Sequence, residues 1–275
     1  MGGAGTGGYG GAKRWNGPSG QAWVQLQAVM DGMYRPIEQV IVDAVDPARR
    51  SVLDVGCGTG GTTVAVAGKL GPEARVCGVD ISESMVEAAR GRGSDVEFIQ
   101  ADVQEYEWPP GSFDAIVSRF GVMFFDDPVR AFGRLHQAAT TDAGLVFVAW
   151  RGIEQNPFMT TAERAAAPLL PELPPRRLDG PGQFAFADAD KVHRILDDAG
   201  WNEISIEAAD IECAFPEDEL VGYFTRLGPV GLALPDVDDN VRAKVVEAAR
   251  PAFDPFVHGA EVRFTAACWL VRAAR

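Results

Sequence analysis

A ten-residue stretch, SVLDVGCGTG at residues 51–60, places the strongest constraint on how this chain can fold. Its first half is apolar and rich in valine, too short for a helix and typical of a buried strand. Three glycines follow at alternate positions, and residues 59–70 predict a helix that stops at Gly71-Pro72. A strand that turns over glycines into a helix N-terminus brings backbone N–H groups close to a ligand, which indicates a nucleotide site.

Two further strands are predicted downstream, and each of them ends in an acid. The apolar run 76–79 ends at Asp80, twenty residues beyond Gly60, and the run 96–101 ends at Asp102. In nucleotide-binding βαβ units, an acid at the tip of the second strand accepts hydrogen bonds from ribose hydroxyls. We therefore expect both carboxylates at the carboxyl edge of a parallel sheet, where open α/β folds bind ligands.

The spacing of the glycines separates two kinds of nucleotide site. Dinucleotide-binding folds use G-x-G-x-x-G, whereas this chain has GCGTG, with Asp54 two residues before the first glycine. A carboxylate beside the loop would repel a pyrophosphate, but it would suit the ammonium or sulfonium of an amino-acid-bearing nucleoside. Residues 54–60 resemble D/E-x-G-x-G-x-G, the first motif of the class I S-adenosylmethionine-dependent methyltransferases.

This resemblance implies a Rossmann-like, mostly parallel sheet of seven strands in the order 3-2-1-4-5-7-6, flanked by helices. It implies S-adenosyl-L-methionine as cofactor and S-adenosyl-L-homocysteine as product. It further implies that Asp102 binds the adenine amino group and that the backbone N–H of Val103 meets a ring nitrogen, while Ile81 covers one face of the purine. The expected cofactor-binding residues in this part of the chain are Asp54, Gly56, Gly58, Gly60, Asp80, Ile81, Asp102 and Val103.

A second block, residues 112–128, narrows the resemblance to the branch that contains ubiquinone and menaquinone biosynthesis methyltransferases. In that branch, the loop after the fourth strand touches the methionine part of the cofactor and faces the acceptor. This implies cofactor contacts for Ser118, Arg119 and Phe120. The Asp127-Pro128 pair predicts the start of the next helix, with an N-cap followed by a proline at the first helical position.

The chain is expected to form a single methyltransferase domain at residues 13–275, after a flexible glycine-rich tail at 1–12. Lid helices are expected within 19–45, as two segments broken at Pro36. Insertions at about 151–187 and 216–258 are expected to cap the acceptor side. The candidates for contacts with the lid or the substrate are Trp15, Trp23 and Met123; the two tryptophans could instead be core anchors.

Several local signals complete the expected order of elements. Ser82 or Ser84 is expected to cap the helix after the second strand, with Ser84 and Glu87 as a capping box. A turn at 141–144 is expected before a fifth strand at 145–150. An amphipathic helix at 189–199 precedes two long alternating segments, 203–213 and 262–271, that suit the sixth strand and an antiparallel seventh.

Composition excludes some classes of partner and favours others. The formal net charge is −14, from 39 acids against 25 bases, which works against binding to nucleic acids or anionic membrane surfaces. The four cysteines form no C-x-x-C pair, which is typical of buried thiols in a reducing compartment. No apolar run is long enough to span a bilayer, and the first residues do not resemble a signal peptide. A cytoplasmic location is expected, and a homodimer is left open.

Methyl transfer from a sulfonium is an in-line displacement, so a protein contributes mainly by alignment and by excluding water. A metal is not required, and the three histidines are too scattered to hold one. If a general base is used, His258 is the first candidate and Tyr223 a weaker one. The leading hypothesis is a methyltransferase acting on a small-molecule acceptor by quinone-type C-methylation or by O- or N-methylation. The alternatives are a nicotinamide-dependent oxidoreductase, a noncatalytic cofactor-binding module, and a protein-modifying enzyme that would need an open groove.

Overall fold

A computed structural model describes residues 15–93, 95–173, 176 and 180–275. The expected tail at 1–12 lies outside these residues. The described residues form one sheet of eight strands in the order β3-β2-β1-β4-β5-β8-β6, with β7 paired to β8. The strands are β1 (Ser51–Val55), β2 (Arg75–Asp80), β3 (Glu97–Gln100), β4 (Phe113–Arg119), β5 (Ala139–Trp150), β6 (Asn202–Pro216), β7 (Val257–His258) and β8 (Glu261–Ala274).

The predicted sheet order is confirmed, with one short strand in addition. Strands β1 to β5 pair in parallel, and β8 pairs antiparallel with both β5 and β6. The extra strand, β7, is two residues long and forms a hairpin with the start of β8. Without β7, the last two long strands occupy the predicted positions of strands 6 and 7.

Ten α-helices in the described part of the chain surround this sheet. They are α1 (Pro18–Gln25), α2 (Gln27–Ala44), α3 (Gly61–Leu70), α4 (Glu83–Arg90), α5 (Pro128–Ala138), α6 (Thr161–Ala166), α7 (Ala189–Asp198), α8 (Leu220–Arg226), α9 (Gly228–Ala233) and α10 (Asp239–Ala252). None of the described helices is both long enough and apolar enough to cross a membrane.

The register of the central strands brings their carboxyl ends together. Val52 of β1 lies between Val76 of β2 and Ala115 of β4. The strands are buried on both faces, as their nearly continuous apolar sequences predict. Because all three run in the same direction, Asp80 and the loops after β1 and β4 meet at one edge of the sheet.

The predicted break at Pro36 is wrong. The first helix ends before Leu26, and α2 runs without interruption through Pro36 to Ala44. Proline removes the hydrogen bond to the carbonyl of Gly32, which is costly in a helix interior. The side chains of Met33 and Ile37, on either side of this position, are fully buried in the core, and their packing stabilises the continuous helix.

Two other local predictions need correction. Ser82, and not Ser84, caps α4, since its hydroxyl accepts the N–H of Met85 at 3.5 Å. The expected turn at 141–144 lies inside β5, where the pairing with β4 shifts: Phe113 pairs with Ala139, but Ala115 pairs with Gly144. The strand is therefore irregular where a turn was predicted, because the chain departs from β4 there and then returns to the same neighbour.

The two segments inserted around β6 pack against each other. Helix α6 comes from the first insertion, whereas α9 and α10 come from the second. Their contact is a small apolar cluster separate from the main core, formed by Ala166, Leu170, Val230, Leu234 and Val245. We call this unit, formed by the described parts of residues 151–187 and 216–258, the cap.

Candidate functional site

A cavity of about 240 Å³ lies at the carboxyl edge of the central strands. Its floor is formed by the loops that follow β1, β2 and β4, and its walls come from α1, α2 and the cap. It runs from the tips of β2 and β3 to the aromatic residues under the cap. All but three of the residues predicted for the site line this cavity; the exceptions are Gly60, Ser118 and His258.

The three glycines after β1 adopt left-handed backbone conformations, but they serve different purposes. Gly56 and Gly58 line the cavity, with φ of 65° and 55°. A Cβ on Gly56 would lie 2.6 Å from the Cα of Gly121, so two loops touch there at backbone level. Gly60 lies outside the lining, and a Cβ there would lie 2.8 Å from the ring of Phe98. Gly60 therefore allows the turn and the packing of α3, rather than contact with a ligand.

Asp80 holds the glycine loop from the tip of β2. Its Oδ2 accepts the backbone N–H of Gly58 at 2.8 Å, and its Oδ1 accepts that of Ser82 at 2.9 Å. Burial raises the pKa of Asp80, and these hydrogen bonds oppose the rise by stabilising the carboxylate. Each oxygen has a further lone pair, so the side chain can still accept hydrogen bonds from a ligand.

Asp54 is the most deeply buried acid of the site. It is 1% exposed, and its Oδ2 accepts the hydroxyl of Thr63 at 2.7 Å. Its Oδ1 is buried and has no hydrogen-bond partner among the described residues. Burial raises the pKa of Asp54 to about 7, against the opposing effects of the Thr63 hydrogen bond and the positive charge of Arg119. A carboxylate left half satisfied in a cavity wall is costly unless a ligand completes its contacts.

Arg119, at the end of β4, places a positive charge in the cavity wall, opposite in sign to the carboxylate of Asp54. Its guanidinium carbon lies 5.7 Å from the centroid of the Tyr34 ring. Its Nη1 is buried, and no described residue forms a hydrogen bond with it. Tyr34 was not among the predicted site residues, although its place four residues after Met30 on a helical apolar face was visible in the sequence. Periodicity places Tyr34 on the same helix face as Met30, but it carries no sign of the arginine that packs on it.

The tips of β2 and β3 form the other end of the cavity. Ile81, Asp102 and Val103 all line it, as expected. The Oδ1 of Asp102 accepts the backbone N–H of Gln104 at 2.9 Å, which fixes the carboxylate at the start of the loop. This end therefore combines apolar surface with one oriented carboxylate.

The loop after β4 is fixed by an aromatic stack. Phe120 has a left-handed backbone, with φ of 68°, and its ring stacks on Trp150 with centroids 4.6 Å apart. The sulfur of Met123 accepts the backbone N–H of Trp150 at 3.4 Å. Phe120 and Met123 both line the cavity, so the loop presents apolar surface next to the buried charges.

The two N-terminal tryptophans close one side of the cavity. The Trp15 ring packs edge-on against Trp23 at 6.2 Å and against Phe124 at 5.0 Å. The backbone carbonyl of Trp15 accepts the hydroxyl of Ser82, which joins this segment to the start of α4. Both tryptophans line the cavity beside the loops that follow β2 and β4.

The structure gives Ser118 a different role from the predicted cofactor contact. The Ser118 hydroxyl is fully buried, donates to the carbonyl of Val55 at 2.7 Å and accepts the N–H of Gly121 at 3.2 Å. Ser118 therefore ties the ends of β1 and β4 together. Family resemblance identified the correct loop but could not distinguish the side chain that faces inward from the one that faces the cavity.

Of the two candidate bases, Tyr223 lines the cavity and His258 does not. His258 is exposed on β7, where it pairs with Glu261 at the hairpin turn, outside the cavity lining. The structure therefore does not bring this candidate base into the cavity lining. Tyr223 does line the cavity, and its hydroxyl contacts the sulfur of Met159 at 3.7 Å. Burial raises the pKa of Tyr223, which keeps the phenol protonated.

Comparison with known proteins identifies a methyltransferase domain at residues 52–142. Over 184 residues the chain is 27% identical to demethylmenaquinone methyltransferase from Renibacterium salmoninarum, covering 63% of this chain and 76% of that protein. It is 30% identical to aklanonic acid methyltransferase from Streptomyces sp. over 42% of this chain and 56% of the relative. For trans-aconitate 2-methyltransferase from Paracidovorax citrulli, the identity is 30% over 63% of each chain. The chain thus spans about half to three quarters of these relatives.

Solved structures share the fold at low identity. Protein YcgJ from Bacillus subtilis superimposes with a TM-score of 0.55 at 16% identity, covering 88% of this chain and 98% of the other. Phosphoethanolamine N-methyltransferase 2 from Haemonchus contortus, in complex with S-adenosyl-L-methionine, superimposes with a TM-score of 0.50 at 16% identity, covering 92% and 52%. These similarities concern the fold alone.

Proposed function

We propose that this chain is a class I S-adenosylmethionine-dependent methyltransferase, and that it transfers the cofactor's methyl group to a small-molecule acceptor held under the cap. The cavity supports this proposal, since it continues from the tips of β1, β2 and β3 to the cap, with room at both ends for ligand groups. A protein-sized acceptor would need an open groove, whereas the acceptor side here is covered by two insertions.

One observation carries the proposal. Asp54 Oδ1 and Arg119 Nη1 are oppositely charged and buried, and neither has a hydrogen-bond partner within the part of the chain that the structure describes. Both side chains belong to the wall of the same cavity. An α-amino acid carries an ammonium and a carboxylate on one carbon, so it can neutralise both groups at once. A pyrophosphate would meet Arg119 favourably but would be repelled by Asp54, which disfavours a nicotinamide dinucleotide.

The ribose and the adenine of the cofactor are assigned to residues farther along the cavity. We assign the ribose hydroxyls to Asp80, whose oxygens keep free lone pairs while they hold Gly58 and Ser82. Ile81 and Val103 would hold the adenine, and the Asp102 carboxylate would accept a hydrogen bond from its amino group. Gly56 and Gly58 allow the ligand to approach the backbone closely, since neither has a side chain to exclude it.

The bound cofactor supplies an electrophilic methyl group on a positively charged sulfur. The chain's residues align the acceptor with that methyl group and exclude water from it. Trp15 and Trp23 cover the cavity from the N-terminal side, and the cap covers it from the other. The described residues contain no cluster of side chains that could hold a metal ion, and the reaction requires none.

Calorimetric titration with S-adenosyl-L-homocysteine and with NADH tests the proposal. We expect micromolar binding of the first ligand and no binding of the second. Asp54→Asn should weaken S-adenosyl-L-homocysteine binding by at least tenfold, whereas His258→Ala is the control and should leave it unchanged. Binding of NADH alone would overturn the proposal. Binding of S-adenosyl-L-homocysteine without methyl transfer to any compound of a metabolite extract would indicate a noncatalytic module.

A further inference from the structure

Six aromatic rings line the end of the cavity under the cap, beside apolar side chains and the polar side chains of Glu163, Arg176 and Gln183. We call it the aromatic chamber and define it by Tyr34, Trp150, Phe158, Tyr223, Phe224 and Phe253. The first two come from α2 and β5, whereas the other four belong to the cap. The chamber therefore exists only because the cap packs against the sheet, and it lies next to Phe120, beyond the loop assigned to the cofactor.

The rings of the chamber are held in place by one another and by rings behind them. Phe158 stacks on Phe264 with centroids 4.1 Å apart, and Phe224 stacks on Phe253 at 5.6 Å. Tyr223 packs against Phe158 at 5.6 Å. Fixed flat walls of this kind favour a planar ligand, because rings prefer stacked or edge-on contacts with other rings.

Arg176 and Tyr223, two of the polar residues at this end of the cavity, differ in how well their polar atoms are satisfied. The guanidinium of Arg176 is fully engaged, with Glu163, with Gln183 and with the backbone carbonyl of Met159. The Tyr223 hydroxyl contacts only a thioether sulfur at 3.7 Å among the described residues, and a thioether is a weak acceptor. A buried hydroxyl with so weak a partner can donate a better hydrogen bond to a ligand oxygen.

The side chains around the chamber bear on which methyl acceptors it suits, because an acceptor that must lose a proton needs a base. None of the chain's three histidines, at 136, 193 and 258, lines the cavity. The carboxylate that the cap contributes to the cavity lining, Glu163, is paired with Arg176. Because the described residues offer no free base there, an acceptor that is already ionised near neutral pH needs least help from the protein.

Building on the proposed function, we propose that the methyl acceptor is a planar aromatic compound with an ionised hydroxyl, whose oxygen accepts a hydrogen bond from Tyr223. The ionised oxygen donates an electron pair to the methyl carbon, so that an O–C bond forms as the C–S bond breaks. The electron pair of the broken bond returns to sulfur, and no proton is moved. The products are the methyl ether and S-adenosyl-L-homocysteine.

Three naphthalene probes of similar size distinguish an ionised acceptor from a neutral one and from a cationic one. They are 4-nitro-1-naphthol, which ionises readily; 1-naphthol, which is neutral; and 1-naphthylmethylamine, which is cationic. Binding of each is measured by calorimetry on the full chain saturated with S-adenosyl-L-homocysteine. We expect the nitronaphthol to bind at least tenfold more tightly than the amine, because an ammonium cannot accept the hydrogen bond from Tyr223. An amine that binds equally well, or a protein that binds none of the probes, overturns the proposal.

Tyr223→Phe tests the hydrogen bond itself while it keeps the ring. We expect this variant to bind 4-nitro-1-naphthol at least fivefold more weakly, with unchanged affinity for 1-naphthylmethylamine and for S-adenosyl-L-homocysteine. Tyr106→Phe is the matched control, since Tyr106 is 36% exposed and outside the cavity. Unchanged nitronaphthol binding by Tyr223→Phe would contradict the assignment. Failure of S-adenosyl-L-homocysteine to bind the wild-type chain would instead refute the proposed function.

Discussion

The carboxylate of Asp80 accepts the backbone N–H of Gly58 at 2.8 Å, so the acid at the tip of β2 holds the loop that follows β1. Asp80→Ala removes this anchor and the proposed ribose contact together. We expect it to weaken S-adenosyl-L-homocysteine binding at least tenfold and to lower the free energy of unfolding by about 1–3 kcal/mol. Calorimetry and urea unfolding measure the two effects. Asp218→Asn, on the exposed surface, is the control, and wild-type affinity in Asp80→Ala would refute the ribose assignment.

Gly56 and Gly58 allow a comparison of two alanine substitutions within one loop. Both glycines have left-handed φ values, which cost a non-glycine residue about 1–2 kcal/mol. At Gly56 the new methyl group would also lie 2.6 Å from the backbone of Gly121, whereas at Gly58 the nearest atom is the Met85 sulfur at 3.8 Å. We therefore expect urea unfolding to show a clearly larger loss of stability for Gly56→Ala. Equal losses of stability in the two variants would mean that the close contact with Gly121 does not add to the destabilisation of Gly56→Ala.

The raised pKa of Asp54 predicts a pH dependence of cofactor binding. The ammonium of the ligand requires the ionised carboxylate, and the free protein has a pKa of about 7 at this residue. Affinity for S-adenosyl-L-homocysteine should therefore fall up to tenfold per pH unit as the pH drops from 7 to 5.5. Asp54→Asn should bind S-adenosyl-L-homocysteine weakly and should lose the part of the pH dependence that comes from Asp54. The part that comes from Asp80 should remain. Affinity that does not change between pH 8 and 5.5 would argue against the ammonium contact.

The same residue affects the stability of the unliganded protein in the opposite direction. A folded-state pKa above the unfolded value of 3.8 means that stability is fully present at low pH and is lost as the pH rises through about 7. At pH 8 the buried carboxylate costs on the order of 4 kcal/mol. We expect Asp54→Asn to raise the Tm by several °C at pH 8 and by much less at pH 5, measured by calorimetric scans. A lowered Tm at pH 8 would contradict this.

Ser118→Ala separates a structural role from ligand contact. The Ser118 hydroxyl links the carbonyl of Val55 to the N–H of Gly121, and its loss leaves both groups buried. We expect the free energy of unfolding to fall by about 1–3 kcal/mol. The affinity for S-adenosyl-L-homocysteine should change less than threefold, because the side chain does not line the cavity. A large loss of affinity without loss of stability would restore the cofactor contact that the sequence suggested.

Local sequence patterns were sufficient for the central part of the fold. The strands β1 and β2 and the glycine loop could be predicted because apolar runs, glycines and an acid follow one another within thirty residues. Asp127 was also recognised correctly as the N-cap of α5, since a capping side chain and a following proline act locally. The position of the strand tips along one edge then followed from parallel pairing.

The features that could not be predicted depend on contacts between distant residues. The helix through Pro36 persists because Met33 and Ile37 are buried in the core, which outweighs the local cost of proline. Arg119 packs on Tyr34 from an element 85 positions away in the chain. The aromatic chamber needs two insertions to pack against the sheet, and His258 could not be recognised as exposed until the β7 hairpin was seen.

A crystal structure with S-adenosyl-L-homocysteine would show how the amino-acid end of the ligand is held. We predict that the ligand's ammonium lies within hydrogen-bonding distance of Asp54 and its carboxylate within that distance of Arg119, with the ribose hydroxyls at Asp80. A ligand whose amino-acid group points away from both Asp54 and Arg119 would contradict this mode of cofactor binding.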